Sequence, residues 1–146
     1  MRYLGLDLGT RSCGIAITDK TNTICTPKSP IFFNHEEYDK LLEELKPIIK
    51  ENEITDIVLG LPKNMDGSMG FAAERSINFA NMLRDLEVKV HFVDERLTSV
   101  EAMSILHFTG KTEKSGKKII DSVSANIILD TYLRSLKNEK QDDSQA

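Results

Sequence analysis

Apolar residues along this chain switch between two spacings, and the switches mark its elements. In "YLGLDLGTRSCGIAIT" two short apolar runs, Tyr3 to Leu8 and Cys13 to Thr18, flank the turn "GTRS". They predict two antiparallel strands. After the turn "DKTN", apolar residues near Ile24 and again from Ile31 to Phe33 predict a third strand. Pro27 and Pro30 should limit its pairing, since proline brings no N–H to a ladder. Three strands joined by short turns make a meander.

The spacing then lengthens. Asn34 with Glu37 is a capping pattern, and Leu41, Leu42, Leu45, Ile48 and Ile49 follow at helical intervals. Pro47 is expected to kink that helix. "DIVLGLP", Asp56 to Pro62, is continuous enough in apolar residues for a strand buried on both faces. "KNMDGS" carries an Asp-Gly turn signal. Ala73, Ile77, Ala80, Leu83 and Leu86 trace a second helix. "VKVHFVDER", Val88 to Arg96, reads as a fifth strand ending in charge. Thr98 and Glu101 form a capping box for a short helix. Thr109 to Lys118 is a polar, basic loop, and Ile119 to Leu133 is a helix apolar around most of its circumference. The order β-β-β-α-β-α-β-α-α implies an α/β fold. Its mixed five-stranded sheet combines a three-stranded antiparallel meander with βαβ crossovers, and helices cover both faces. One domain is expected over 1–136, with a charged, disordered tail over 137–146.

Composition alters this picture little. Of 146 residues, 40% are apolar and 29% charged, ordinary for a globular protein with room for a core. No uncharged apolar run approaches the roughly 18–20 residues that span a bilayer, and Asp7 and Arg11 interrupt the first apolar region, unlike a signal peptide. A cytoplasmic protein with no membrane partner is expected. Cys13 and Cys25 read as buried free thiols, and His35, His91 and His107 show no ligand spacing. The net charge of −4 argues against indiscriminate coating of nucleic acid. It is compatible with a nuclease whose carboxylates hold cations.

The candidate chemistry begins with Asp7, a carboxylate inside the most apolar part of the first strand. Such a charge needs a partner: it either caps the "GTRS" turn or faces a cation. Asp94 and Glu95 end the fifth strand, and Asp121 opens the last helix. Taken singly, the last two sites fit a solvated strand end and an acid complementing a helix dipole. Taken together, three acidic sites from separate segments suit a hard cation such as Mg²⁺ or Mn²⁺. Two such ions roughly 3.5–4 Å apart can serve phosphodiester hydrolysis. Asp7, on a central strand, suits the bridging position. Arg11 and Arg96 neighbour these acids and could fork a phosphate. Lys63, Lys111, Lys114, Lys117 and Lys118 could follow a nucleic-acid backbone, or simply solvate loops. Phe71 and Phe108 are expected in the core, with base stacking as the alternative.

"GLDLGTRSCGIAITD", "GLPKNMDGS", "DERLTS" and "KKIIDSVSANIILDTYL" resemble, in order, the four signature blocks of the YqgF (RuvX) family. Its small bacterial members are described as pre-16S rRNA nucleases and, earlier, as Holliday-junction resolvases. The resemblance covers nearly all of the chain except the tail. It implies an RNase H-like fold and a two-metal nuclease processing the 5′ end of pre-16S rRNA in ribosome biogenesis. The nucleic-acid partner is then pre-16S rRNA rather than branched DNA, and the protein a monomer or weak homodimer. It implies metal ligands and catalytic acids at Asp7, at the "DER" carboxylate and at Asp121. Within "DER", Glu95 is preferred to Asp94, because its longer side chain reaches further and alternation sends the two to opposite faces. Arg11, Arg96, Lys63 and Lys117 are the expected substrate contacts. The distant RuvC resolvases carry a second acid three positions after the helix aspartate, where this chain has Ser124. "GLDLGT…G" also resembles the first phosphate loop of actin-like ATPases. Those need a second such domain, and this chain has no second "DxG" hairpin. The same residues also admit a Holliday-junction DNA endonuclease or a non-catalytic nucleic-acid-binding domain.

Overall fold

The computed structural model describes residues 2–64, 66–95 and 123–137. The expected short helix at Thr98, the basic loop 109–118, Phe108, Arg96 and Asp121 fall outside these residues, as does the expected tail except Lys137, which is helical rather than disordered. The described elements are β1 (Arg2–Leu8), β2 (Ser12–Thr18), β3 (Cys25–Phe32), α1 (Tyr38–Glu51), β4 (Ile54–Leu61), α2 (Phe71–Arg84) and β5 (Lys89–Asp94). A further helix, α3, spans 123–137. No helix among the described residues is long and apolar enough to cross a membrane.

The five strands form one mixed sheet in the order β3-β2-β1-β4-β5. β1 pairs antiparallel with β2 and parallel with β4, and β5 adds parallel to β4. Each parallel step needs a crossover helix, and α1 and α2 supply them. β1 therefore lies at the centre, where Asp7 faces Gly14 in register.

Alternation divides the core in two. On one face Leu4, Leu6, Ile57 and Leu59 pack with Leu41 and Leu45 of α1 and Phe79 and Leu83 of α2. On the other, Ala16, Val58 and Val93 pack with Ala125, Ile128, Leu129 and Leu133 of α3. The expected helix apolar around most of its circumference is thus the sole described cover of the second face.

Some local expectations needed correction. The third strand is one continuous edge strand rather than two pieces. Pro27 pairs with Ala16 inside it, and an edge tolerates the missing N–H. Ile24 lies outside the strand and is exposed. Asn34 does not cap α1. Glu36 adopts a left-handed φ of 57°, and the helix begins only at Tyr38. The buried face of α2 includes Ser76 and Phe79 rather than Ile77, because the helix starts at Phe71 and turns that stripe to the sheet. Both cysteines are free, Cys13 fully buried and Cys25 half-buried. Burial and the nearby acid Asp130 push the Cys25 thiol up to about 11, so it is an inert thiol at neutral pH.

Candidate metal centre

On the face beneath α3, three strands contribute residues in rows. β1 supplies Tyr3, Gly5 and Asp7; β4 supplies Asp56, Val58 and Gly60; β5 and the position after it supply His91, Val93 and Glu95. The parallel register sets Val58 beside His91 and Gly60 beside Val93, and period two keeps every member on one side. At the carboxyl end lie Asp7, Gly60 and, one step beyond Val93 on the same side, Glu95.

Glu95 lies just past β5 and hydrogen-bonds to Asp7. Burial, that bond, the Asp7 charge and then the Asp94 charge push its carboxyl up to about 9. Two carboxylates cannot share a hydrogen bond without a proton, so at neutral pH Glu95 is protonated and donates to Asp7. Two features make the closeness possible. The residue beneath Glu95 is Gly60, where an added Cβ would lie 2.8 Å from Glu95 Cδ and 2.7 Å from Ile128 Cδ1. The helix above is drawn in by Gly5, where a Cβ would lie 2.7 Å from Leu129 Cβ and 2.8 Å from the Ala125 carbonyl oxygen.

The β1–β2 turn beside this row is braced from outside. The Gly9 N–H donates to the Ser12 carbonyl at 2.8 Å, and the Tyr38 hydroxyl donates to the Gly9 carbonyl at 3.2 Å. The backbone N–H groups of Glu36 and Phe33 donate to the carbonyls of Thr10 and Arg11. Arg11 itself is exposed on that turn, and Lys63 is half-buried just past β4.

The structure therefore brings together two of the acids expected from the sequence, Asp7 and Glu95. Asp94 acts on Glu95 through its charge. Asp121, Arg96 and Lys117 lie outside the described residues. No group of three or more His, Cys, Asp or Glu side chains that could hold a metal occurs among the described residues. The donor chemistry nevertheless fits a hard divalent cation, because the two facing groups offer only oxygen.

Three features escaped the sequence reading. Gly60 was one more apolar-strand residue. Phe71, expected in the core, is 82% exposed at the start of α2. His91 was set aside, yet its Nε2 lies 2.9 Å from Oδ1 of buried Asp56, and its ring stacks on Tyr132 with centroids 4.8 Å apart. A histidine two positions from a core valine on a charged strand end was the available signal, but its partner stands 35 residues away.

Comparison with known proteins places the chain and its fold. The family model described as "RuvX: Holliday junction resolvase" matches residues 1–135. A protein of Lactobacillus gasseri named "Putative pre-16S rRNA nuclease" is 35% identical over 143 residues, covering 96% of this chain and 100% of that one. A Halothermothrix orenii protein of the same name is 41% identical over 134 residues, 91% and 94% of the two chains. Among solved structures, T. thermophilus RuvC in complex with a Holliday junction substrate superposes with a TM-score of 0.55 at 8% identity, over 92% of this chain and 96% of that one. The Fowlpox virus resolvase bound to Holliday junction DNA gives 0.57 at 14% identity, over 93% and 99%. At these identities the likeness is one of fold, and the fold is RNase H-like, as expected. The family match over nearly the whole length settles the lineage: the chain belongs to the RuvX family.

Proposed function

We propose that this protein is a nuclease that hydrolyses phosphodiester bonds with Mg²⁺ or Mn²⁺, and that its substrate is the precursor of 16S rRNA, trimmed at the 5′ end. The observation that carries the reading is the Asp7–Glu95 hydrogen bond, which holds two acids against each other at the carboxyl end of the sheet. A divalent ion bound there would polarise a phosphoryl oxygen and lower the pKa of its water.

The remaining work falls to the chain's own groups. Asp7, on the central strand, would serve as the bridging ligand, Glu95 would give up its proton and become a second ligand, and Asp121 would be the third. Tyr132 lies over Tyr3, and Leu129 and Ala125 over Gly5, so α3 runs antiparallel to β1.

Arg11, Arg96, Lys63 and Lys117 are the proposed phosphate contacts. Exposed Phe71, which opens the helix after β4, is a stacking surface for a base at the carboxyl end of the sheet. The test is cleavage of precursor 16S rRNA with Mn²⁺, beside a four-way DNA junction, with Asp7→Asn as control. Cleavage of the RNA alone, lost in Asp7→Asn, is the expected result. Cleavage of the junction alone would favour the resolvase reading that the family description suggests. Cleavage by Asp7→Asn at the wild-type rate would refute the assignment of that residue.

A further inference from the structure

The Glu95 carboxyl occupies space that any other residue at position 60 would fill. We propose that Gly60 is a positioning residue: its missing side chain is the seat that holds Glu95 against Asp7. The inference rests on the reading of Asp7 and Glu95 as cation ligands and adds what sets their separation.

The backbone does not require glycine at this position. Gly60 lies within β4, paired with Val93 in regular parallel register, and among the described glycines only Gly67 has a left-handed φ. Alanine would meet no conformational penalty there. Space alone forbids it. A Cβ would lie 2.8 Å from Glu95 Cδ, closer still to a carboxylate oxygen, and 2.7 Å from Ile128 Cδ1. Nonbonded carbons rest at about 3.5–4.0 Å, so something must move by roughly an ångström. Ile128 is fully buried in the packed face of α3, where displacement is costly. Glu95 follows the last residue of β5 and has three side-chain torsions with which to swing away. The methyl would therefore drive the carboxyl off Asp7. Gly5 offers a contrast on the same face. A Cβ there meets Leu129 and the Ala125 backbone, so Gly5 seats the helix while Gly60 seats a carboxyl.

Packing against Ile128 is the competing explanation, and paired variants separate the two. Mn²⁺ binding is measured by calorimetry, and folding by thermal melting, in wild type, Asp7→Asn, Glu95→Asp, Gly60→Ala, Gly60→Ala/Ile128→Val and Gly60→Ala/Glu95→Asp. Gly60→Ala should weaken Mn²⁺ at least tenfold. Ile128→Val, which removes the clashing Cδ1, should recover melting temperature in that background but not Mn²⁺ affinity. Glu95→Asp should cost much less affinity in the Gly60→Ala background than in wild type, a non-additivity of several-fold. If Gly60→Ala alone does not fold, its Ile128→Val double variant carries the test. Wild-type affinity in the Gly60→Ala variants, or its full recovery by Ile128→Val, would overturn the proposal while leaving the metal reading intact. Absence of Mn²⁺ binding in wild type, or unchanged binding in Asp7→Asn, would remove the metal reading and this inference with it.

Discussion

The two ends of the sheet face beneath α3 each hold an acid out of full contact with water, and they treat it in opposite ways. At the amino end Asp56 has both oxygens engaged. Thr55 Oγ1 donates to Oδ2 at 2.7 Å, and His91 Nε2 sits 2.9 Å from Oδ1. Tyr132 and Tyr3 close over the pair, and burial and the Asp56 charge push the Tyr3 phenol up. At the carboxyl end Glu95 is set against another acid, and its carboxyl rises to about 9. A buried acid with neutral or cationic partners holds a fold together. A buried acid facing an acid is a standing cost, offset when a cation arrives. The chain has built one end of its sheet as an anchor and the other as a receptacle.

Asp7→Asn breaks this contrast most severely. It should cut cleavage on the order of 10²–10³-fold, the usual cost of one preorganised electrostatic group. Melting temperature in chelator should stay level or rise, because the variant removes the Asp7 charge that opposes ionisation of Glu95 while its amide oxygen can still accept a hydrogen bond; thermal melts beside single-turnover assays check both. The pH dependence comes next. The folded pKa of Glu95 lies above its ordinary value, so between about 4.5 and 9 the native state holds a proton that the unfolded chain has released. Stability in chelator should therefore fall as pH climbs through that window, by several kcal/mol across its full width. Glu95→Gln should flatten the slope, and a slope unchanged in that variant would rule out Glu95 as its source.

At the other end, His91→Ala should destabilise by about 2 kcal/mol, since it strips Asp56 of a hydrogen bond and Tyr132 of its stacked ring. Cleavage per folded molecule should change less than in Asp7→Asn, as denaturant titration with activity normalised to the folded fraction would show. Phe71→Ala should be the mildest. It should weaken binding of single-stranded RNA by about 1–2 kcal/mol and leave the melting temperature nearly unchanged, because an exposed ring contributes little to folding.

What the sequence determined by itself was whatever follows from local periodicity. Strand alternation was enough to put Asp7 on one face of β1 and to separate Glu95 from Asp94. The helical spacing of Leu41, Leu45 and Leu83 was enough to name residues that are indeed buried. These depend on geometry repeating every two or 3.6 residues, which a reader can count. Tertiary structure alone decided the rest. Asp56 and His91 stand on neighbouring strands, diagonal to each other, that only the crossover through α2 brings together. Gly60 gained its meaning from a side chain 35 positions later settling into its missing volume. Phe71 was expected in the core, but it opens α2 on the side away from Ala73, Ser76 and Phe79, which face inward. Periodicity states which way a residue points, whereas only the packed chain determines what it meets.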